Sequence, residues 1–251
     1  MSRPLFEVCV SSVADALAAV AAGADRIELC SALEVGGLTP SVGLLQSVLD
    51  AVSVPVLAMI RPRPGGFHYS PDEFRTALLD AEWALSLGAA GIVFGILSAD
   101  CSIDAARCRE LVAVAGERVT VFHRAFDFVC DPFAIADQLT ELGVTRILTS
   151  GQRPTALAGA PLIRTLAERT AGRLEILPGG GINADNIQEV IQQTGCNQVH
   201  LGSARVVRDH SDARSGPIEL VAEHQLAANA HRVLDLDGLR KIISIASQRR
   251  C

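Results

Sequence analysis

Leu174–Arg205 reads LEILPGGGINADNIQEVIQQTGCNQVHLGSAR, and this stretch gives the chain its direction. Of two short apolar runs, Leu174 to Leu177 stops at Pro178 and three glycines and Gln198 to Leu201 at Gly202-Ser203, and between them Asn183 opens a helical pattern that Gly195 closes. The order is strand, glycine loop, helix, strand, glycine loop. Backbone N–H groups freed of side chains ahead of a helix are a common way to hold an anion. In an eight-fold barrel these are loops seven and eight, where a phosphate is often bound. Gly179, Gly180, Gly181, Gly202 and Ser203 are therefore assigned to anion binding.

Working outward, the joint between helix and strand recurs. Gly23, Gly88, Gly143, Gly172 and Gly195 each follow an alanine- or leucine-rich helical pattern and precede an apolar run within a few residues. Helix starts are marked by Ser12, by Thr39 before Pro40, by Ser70 before Pro71 with Glu73, by Asp131 before Pro132, and by Asn183. Eight strands are predicted, beginning near Leu5, Arg26, Val56, Gly91, Val119, Arg146, Leu174 and Gln198. Strict alternation of strand and helix requires parallel pairing, since each return needs a crossover. The expected fold is α/β, a (β/α)8 TIM barrel occupying residues 1–251 as one domain, for which about 250 residues is usual. A long loop, about 206–233, with a short helix near Ile218 to Ala228, precedes a last helix from about Asp235.

The composition agrees with a core buried on both faces of its strands: 49% hydrophobic, 20% charged, 4% aromatic. A net charge of -6 without any basic run speaks against a nucleic-acid partner. No leader-like segment or apolar run of membrane-spanning length is visible, so a cytoplasmic protein without a membrane partner is expected. Seven cysteines with no Cys-x-x-Cys pair suit free thiols rather than a disulfide framework.

Barrel strands point alternate residues at the helices and into the interior. With Phe6, Val8 and Val10 packed outward, Glu7 and Cys9 turn in; with Ile27 and Leu29 outward, Glu28 and Cys30 turn in. The same count sends Met59 and Arg61 inward from the third strand, with Arg63 just beyond its end, His123 from the fifth and His200 from the eighth. Asp127 adds an acid at the same rim, and Glu175 lies nearer the bottom of its strand. Buried charges need partners, so Arg61 is expected to bridge a glutamate.

Seven motifs in order carry a resemblance: Glu7-Val8-Cys9, Arg26-Ile27-Glu28-Leu29-Cys30-Ser31, Gly36-Gly37-Leu38-Thr39-Pro40-Ser41, Ile60-Arg61-Pro62-Arg63, Phe122-His123-Arg124-Ala125-Phe126-Asp127, Leu148-Thr149-Ser150-Gly151 and Pro178-Gly179-Gly180-Gly181. From the first strand to about Arg205 the chain resembles the CutC family. The resemblance implies a cytoplasmic (β/α)8 barrel that forms a homo-oligomer and is associated with copper homeostasis and copper binding. The chain departs from that pattern at Cys101, where glycine is commoner, and at His200-Leu201-Gly202-Ser203, where a serine more often stands nearer the histidine.

Two functions lead on the residues, ahead of a scaffold or oligomeric binding role without a small ligand, which an inward set of ionisable groups makes the least attractive. In the first, Cys9 and Cys30, on neighbouring strands about 4.8 Å apart, bind Cu(I), a soft ion that favours thiolates. In the second, the barrel is an isomerase- or lyase-type enzyme for a small phosphorylated or anionic metabolite. Glu7, Glu28, Arg61, His123, Asp127 and His200 then form the catalytic set, and Arg63 with the glycine loops binds the anion.

Overall fold

The first strand, β1 (Leu5–Val10), pairs on both sides with parallel neighbours: β2 (Arg26–Leu29) and, from the far end of the chain, β8 (Gln198–Leu201). Between them run β3 (Val56–Met59), β4 (Gly91–Phe94), β5 (Val119–Phe122), β6 (Arg146–Thr149) and β7 (Glu175–Pro178) in sequence order, every pairing parallel. A parallel bridge between Gly179 and His200 brings β7 against β8. The ring is thereby nearly closed, and the fold is the (β/α)8 barrel. The structure is a computed structural model that describes residues 3–208 and 230–248.

The helices are α1 (Val13–Ala22), α2 (Val42–Ala51), α3 (Pro71–Ser86), α4 (Ala105–Ala115), α5 (Pro132–Glu141), α6 (Ala160–Thr170), α7 (Ile187–Thr194) and α8 (Leu236–Ser247). Their boundaries follow local chemistry. The Ser12 hydroxyl accepts from Asp15 N–H, and Ser70 with Glu73 makes a reciprocal capping box behind Pro71. Gly23 and Gly195 end their helices with φ of 102° and 70°, a left-handed turn that a side chain would strain. Two helix starts differ from expectation. α2 is capped by Ser41 rather than Thr39, whose hydroxyl instead accepts from Arg61 N–H. Asn183 opens a turn, and α7 begins only at Ile187.

The described residues at the two ends of the stretch expected as a loop, about 206 to 233, form strands. β9 (Ala204–Arg208) and β10 (Ala230–Leu234) form an antiparallel ribbon, and Asp15 accepts from Leu234 N–H at 2.8 Å to tie it to α1. The helix expected near 218–228 lies outside the described residues.

Two apolar layers hold the barrel. Phe6, Val8, Val10, Ile27, Leu29, Phe94, Phe122 and Ile147 pack between strands and helices with virtually no exposure. Each such side chain contributes about 1.5–3 kcal/mol by leaving water. Inside the ring, Leu57, Met59, Val93, Val121, Leu148 and Leu177 form a second cluster with Cys30. The interior is thus apolar on one side and ionisable on the other, where β8, β1 and β2 adjoin and Arg146 reaches in from β6.

Candidate metal centre

The ionisable side is built on the strand register. Glu7 stands opposite Arg26 on β2 and His200 on β8, and Cys9 opposite Glu28. Glu7 is wholly buried and fully engaged: Oε2 accepts from Arg26 Nε at 2.6 Å and faces Arg146 Nη1 at 3.9 Å, while Oε1 lies 2.8 Å from His200 Nδ1. Arg26 Nη2 also donates to Gln198 at 2.7 Å, and Arg146 to Glu175 at 2.7 Å. Burial alone would raise the Glu7 carboxyl, but His200, Arg26 and Arg146 together hold it down to about 2, so it is an anion.

Above this layer the thiols meet. Cys9 and Cys30 Sγ are 3.6 Å apart, Cys30 Sγ is 3.6 Å from Glu28 Oε1, and His200 Nε2 is 3.9 Å from the same oxygen. One ligand atom from each of Cys9, Glu28 and Cys30 lies within 4.8 Å of the others, and the same holds for Glu7, Glu28 and His200. Glu28 and Cys30 are buried, whereas Cys9 and His200 are partly accessible and form the open side. Gly37 crowds Cys30 closely: a Cβ there would sit 3.1 Å from its sulfur.

The charge states divide the set. Hydrogen bonding from the Cys30 thiol outweighs burial and, with His200, lowers Cys9 to about 5, making it a thiolate at neutral pH. Cys30 is pushed up by the same sulfur contact and by burial, and stays protonated. Burial, with the Cys9 and Glu7 charges, raises Glu28 well above the carboxylate range. Burial opposes charge on His200, but Glu28, Cys9 and Glu7 overcome it and favour the imidazolium. Cys9 and His200 therefore form a thiolate–imidazolium pair, and Glu28 Oε2 has no hydrogen-bond partner.

Other expected site residues lie elsewhere. Arg61 does not bridge a glutamate; its guanidinium donates to the carbonyls of Val35, Gly37 and Gly65 at 2.9, 2.9 and 2.8 Å. It follows β3 by two residues, where the pleat no longer dictates direction. His123 is buried at the rim against Phe67, with ring centroids 5.0 Å apart. Asp127 is a latch between loops: it accepts from Thr149 Oγ1 at 2.5 Å, Ser150 N at 3.1 Å, Gln152 N at 3.1 Å and Arg124 Nε at 2.8 Å. Arg63 is taken by Glu73 at 2.5 Å and stacks over Tyr69. Gly179 packs on Leu148 and His200, Gly180 lies beside Ser150 and Arg124, and Gly181 beside Thr155. Gly202 and Ser203 lead into β9, not a helix N-terminus. Gly179 to Gly181 still stand between β7 and α7, whereas Gly202 and Ser203 do not precede a helix.

Sequence reasoning missed Arg26 and Arg146, the residues that neutralise Glu7. The signal was present, since alternation with the outward Ile27 and Ile147 turns both inward.

Eight parallel strands around a buried carboxylate, imidazole and thiol cluster define a barrel protein whose interior ligand atoms lie, in two groups of three, within 4.8 Å of one another. The chain belongs to the CutC family, whose model matches residues 4–205. It is 45% identical over 243 residues to a CutC family protein of Treponema denticola, covering 97% of this chain and 99% of that one. It is 43% identical to the human protein named copper homeostasis protein cutC homolog, covering 96% and 89%. A crystal structure of CutC from Streptococcus agalactiae superposes with a TM-score of 0.74 at 35% identity, covering 79% of this chain and 98% of that one. No helix among the described residues is long and apolar enough to cross a membrane.

Proposed function

We propose that this chain takes part in copper homeostasis by binding Cu(I) at Cys9 and Cys30. The 3.6 Å separation of the two sulfurs in a half-open interior site carries the reading. With metal–thiolate bonds of about 2.3 Å, that separation gives an S–metal–S angle of about 100°, whereas a linear pair needs sulfurs about 4.6 Å apart. The site therefore calls for a third ligand, and His200 faces Cys9 and Glu28 from the adjoining strand. Glu7 holds the other ring nitrogen of His200, the usual way a protein orients a ligating imidazole. Thiolate and imidazole together suit Cu(I).

The relatives named for copper homeostasis support the role, and the six free cysteines of the described residues suit a reducing compartment such as the cytoplasm. A Cu(I) competition titration against a colorimetric chelator tests the site. Cys9→Ser and Cys30→Ser should each weaken binding at least about 100-fold, more than loss of an orienting partner. Parental affinity in the double variant would remove the site.

A further inference from the structure

We infer that Arg61 and His123 form a second binding site, at the mouth of the barrel and separate from the thiols, which takes the carboxylate of a small molecule. It does not rest on the copper reading, because no hydrogen bond or ion pair links either residue to Cys9, Glu28, Cys30 or His200.

Two buried donors with no acceptor motivate the proposal. His123 is 4% exposed and Arg61 5%. Ala125 N–H donates to His123 Nδ1 at 3.1 Å, which places the lone pair on Nδ1 and the proton on Nε2. That Nε2–H has no partner. The ring stays neutral, since burial and the nearby Arg61 charge lower its pKa to about 3. It is also fixed in place: a Cβ at Gly95 would lie 2.4 Å from its Cε1 and Nδ1. Arg61 spends its two terminal nitrogens on three backbone carbonyls, and its Nε–H has no partner. Among the described residues no carboxylate forms an ion pair with it. The buried Tyr69 hydroxyl lies within reach of the Arg61 guanidinium.

An unmet buried donor costs about 1–3 kcal/mol, and native proteins seldom tolerate several together. Here they adjoin one aromatic side chain. The Phe67 ring lies 5.0 Å from the His123 ring and 5.2 Å from the Arg61 guanidinium carbon, and it stacks in turn on exposed Phe128 at 5.6 Å. Phe67, itself partly exposed, thus packs against both residues. One unneutralised cation and one neutral donor match a monoanion with two oxygens, which is a carboxylate. A phosphate dianion brings more charge and more acceptors than this pair can meet.

The test uses metal-free wild-type protein labelled with 15N-histidine. The His123 Nε2–H resonance is assigned by its loss in His123→Asn and followed during titration with acetate, with chloride matching ionic strength. A saturable shift with acetate, about tenfold weaker in affinity in Arg61→Lys, is the expected result, the size of one charge-assisted hydrogen bond. No saturable shift in the wild type, or one produced by inorganic phosphate and not by acetate, overturns the proposal whether or not the variants fold.

Discussion

Glu7 and His200 face each other across the seam where the first and last barrel strands pair, and their side chains meet at 2.8 Å. One contact thus joins chain positions 193 residues apart and sets the orientation of an imidazole whose other nitrogen faces the thiols. The pair ties closure of the barrel to the chemistry inside it, and Arg26 and Arg146 keep the carboxylate charged.

Glu7→Gln removes that charge while keeping the shape. Two guanidiniums remain buried beside a neutral amide, so stability should fall by about 3–5 kcal/mol. Urea unfolding measures this, and Cu(I) affinity should fall about 10- to 100-fold as His200 loses its orienting partner. A variant as stable as the parent would show that the Arg26 contact carries little energy.

Cys9 should titrate as a thiolate far below an ordinary thiol. Its folded value is about 5 against a usual 9.0, so the ion-paired form contributes stability in full above pH 9 and loses it as the pH falls through about 5. Ultraviolet thiolate absorbance of metal-free protein, compared with Cys9→Ser, should show this step near pH 5. His200→Gln should move it upward by removing a hydrogen bond and a charge. A single step near the ordinary thiol value would contradict the charge assignment.

Most of the interior was legible in the sequence because two residues per pleat is a rigid rule. Once Phe6, Val8, Ile27 and Leu29 were taken as outward, Glu7, Cys9, Glu28 and Cys30 had nowhere else to go. The rule ended with the strands. Arg61 and His123 stand just past β3 and β5, and there loop carbonyls and a 3-10 turn set their partners. Arg63 read as an anion ligand and Asp127 as a catalytic acid because nothing in their neighbourhood names Glu73 or Ser150 as partners. The ribbon of β9 and β10 was missed because its two strands are short and lie far apart in the chain.

Asp127 separates a latch from a catalytic acid. Asp127→Ala leaves buried Thr149 and Ser150 without their acceptor, and each unmet donor costs about 1–3 kcal/mol. Thermal unfolding should shift down while Cu(I) affinity stays within about twofold of the parent, since no metal–ligand candidate touches it. Loss of binding at unchanged stability would place Asp127 in the site.

Metal binding should release protons. Cys30 is protonated and His200 is an imidazolium in the metal-free protein, and both must give up a proton to act as ligands. Calorimetry of Cu(I) transfer at neutral pH, in buffers of different ionisation enthalpy, should report about two protons per ion. A buffer-independent enthalpy would mean that these groups are not ligands.

X-ray absorption at the copper edge of the Cu(I)-loaded protein tests the Cys9–Cys30 site most directly. The expected spectrum has two sulfur ligands at about 2.3 Å with one nitrogen, and the sulfur shell is lost in the Cys9→Ser, Cys30→Ser double variant. A shell of nitrogen and oxygen alone, or a sulfur shell that survives in the double variant, would contradict it.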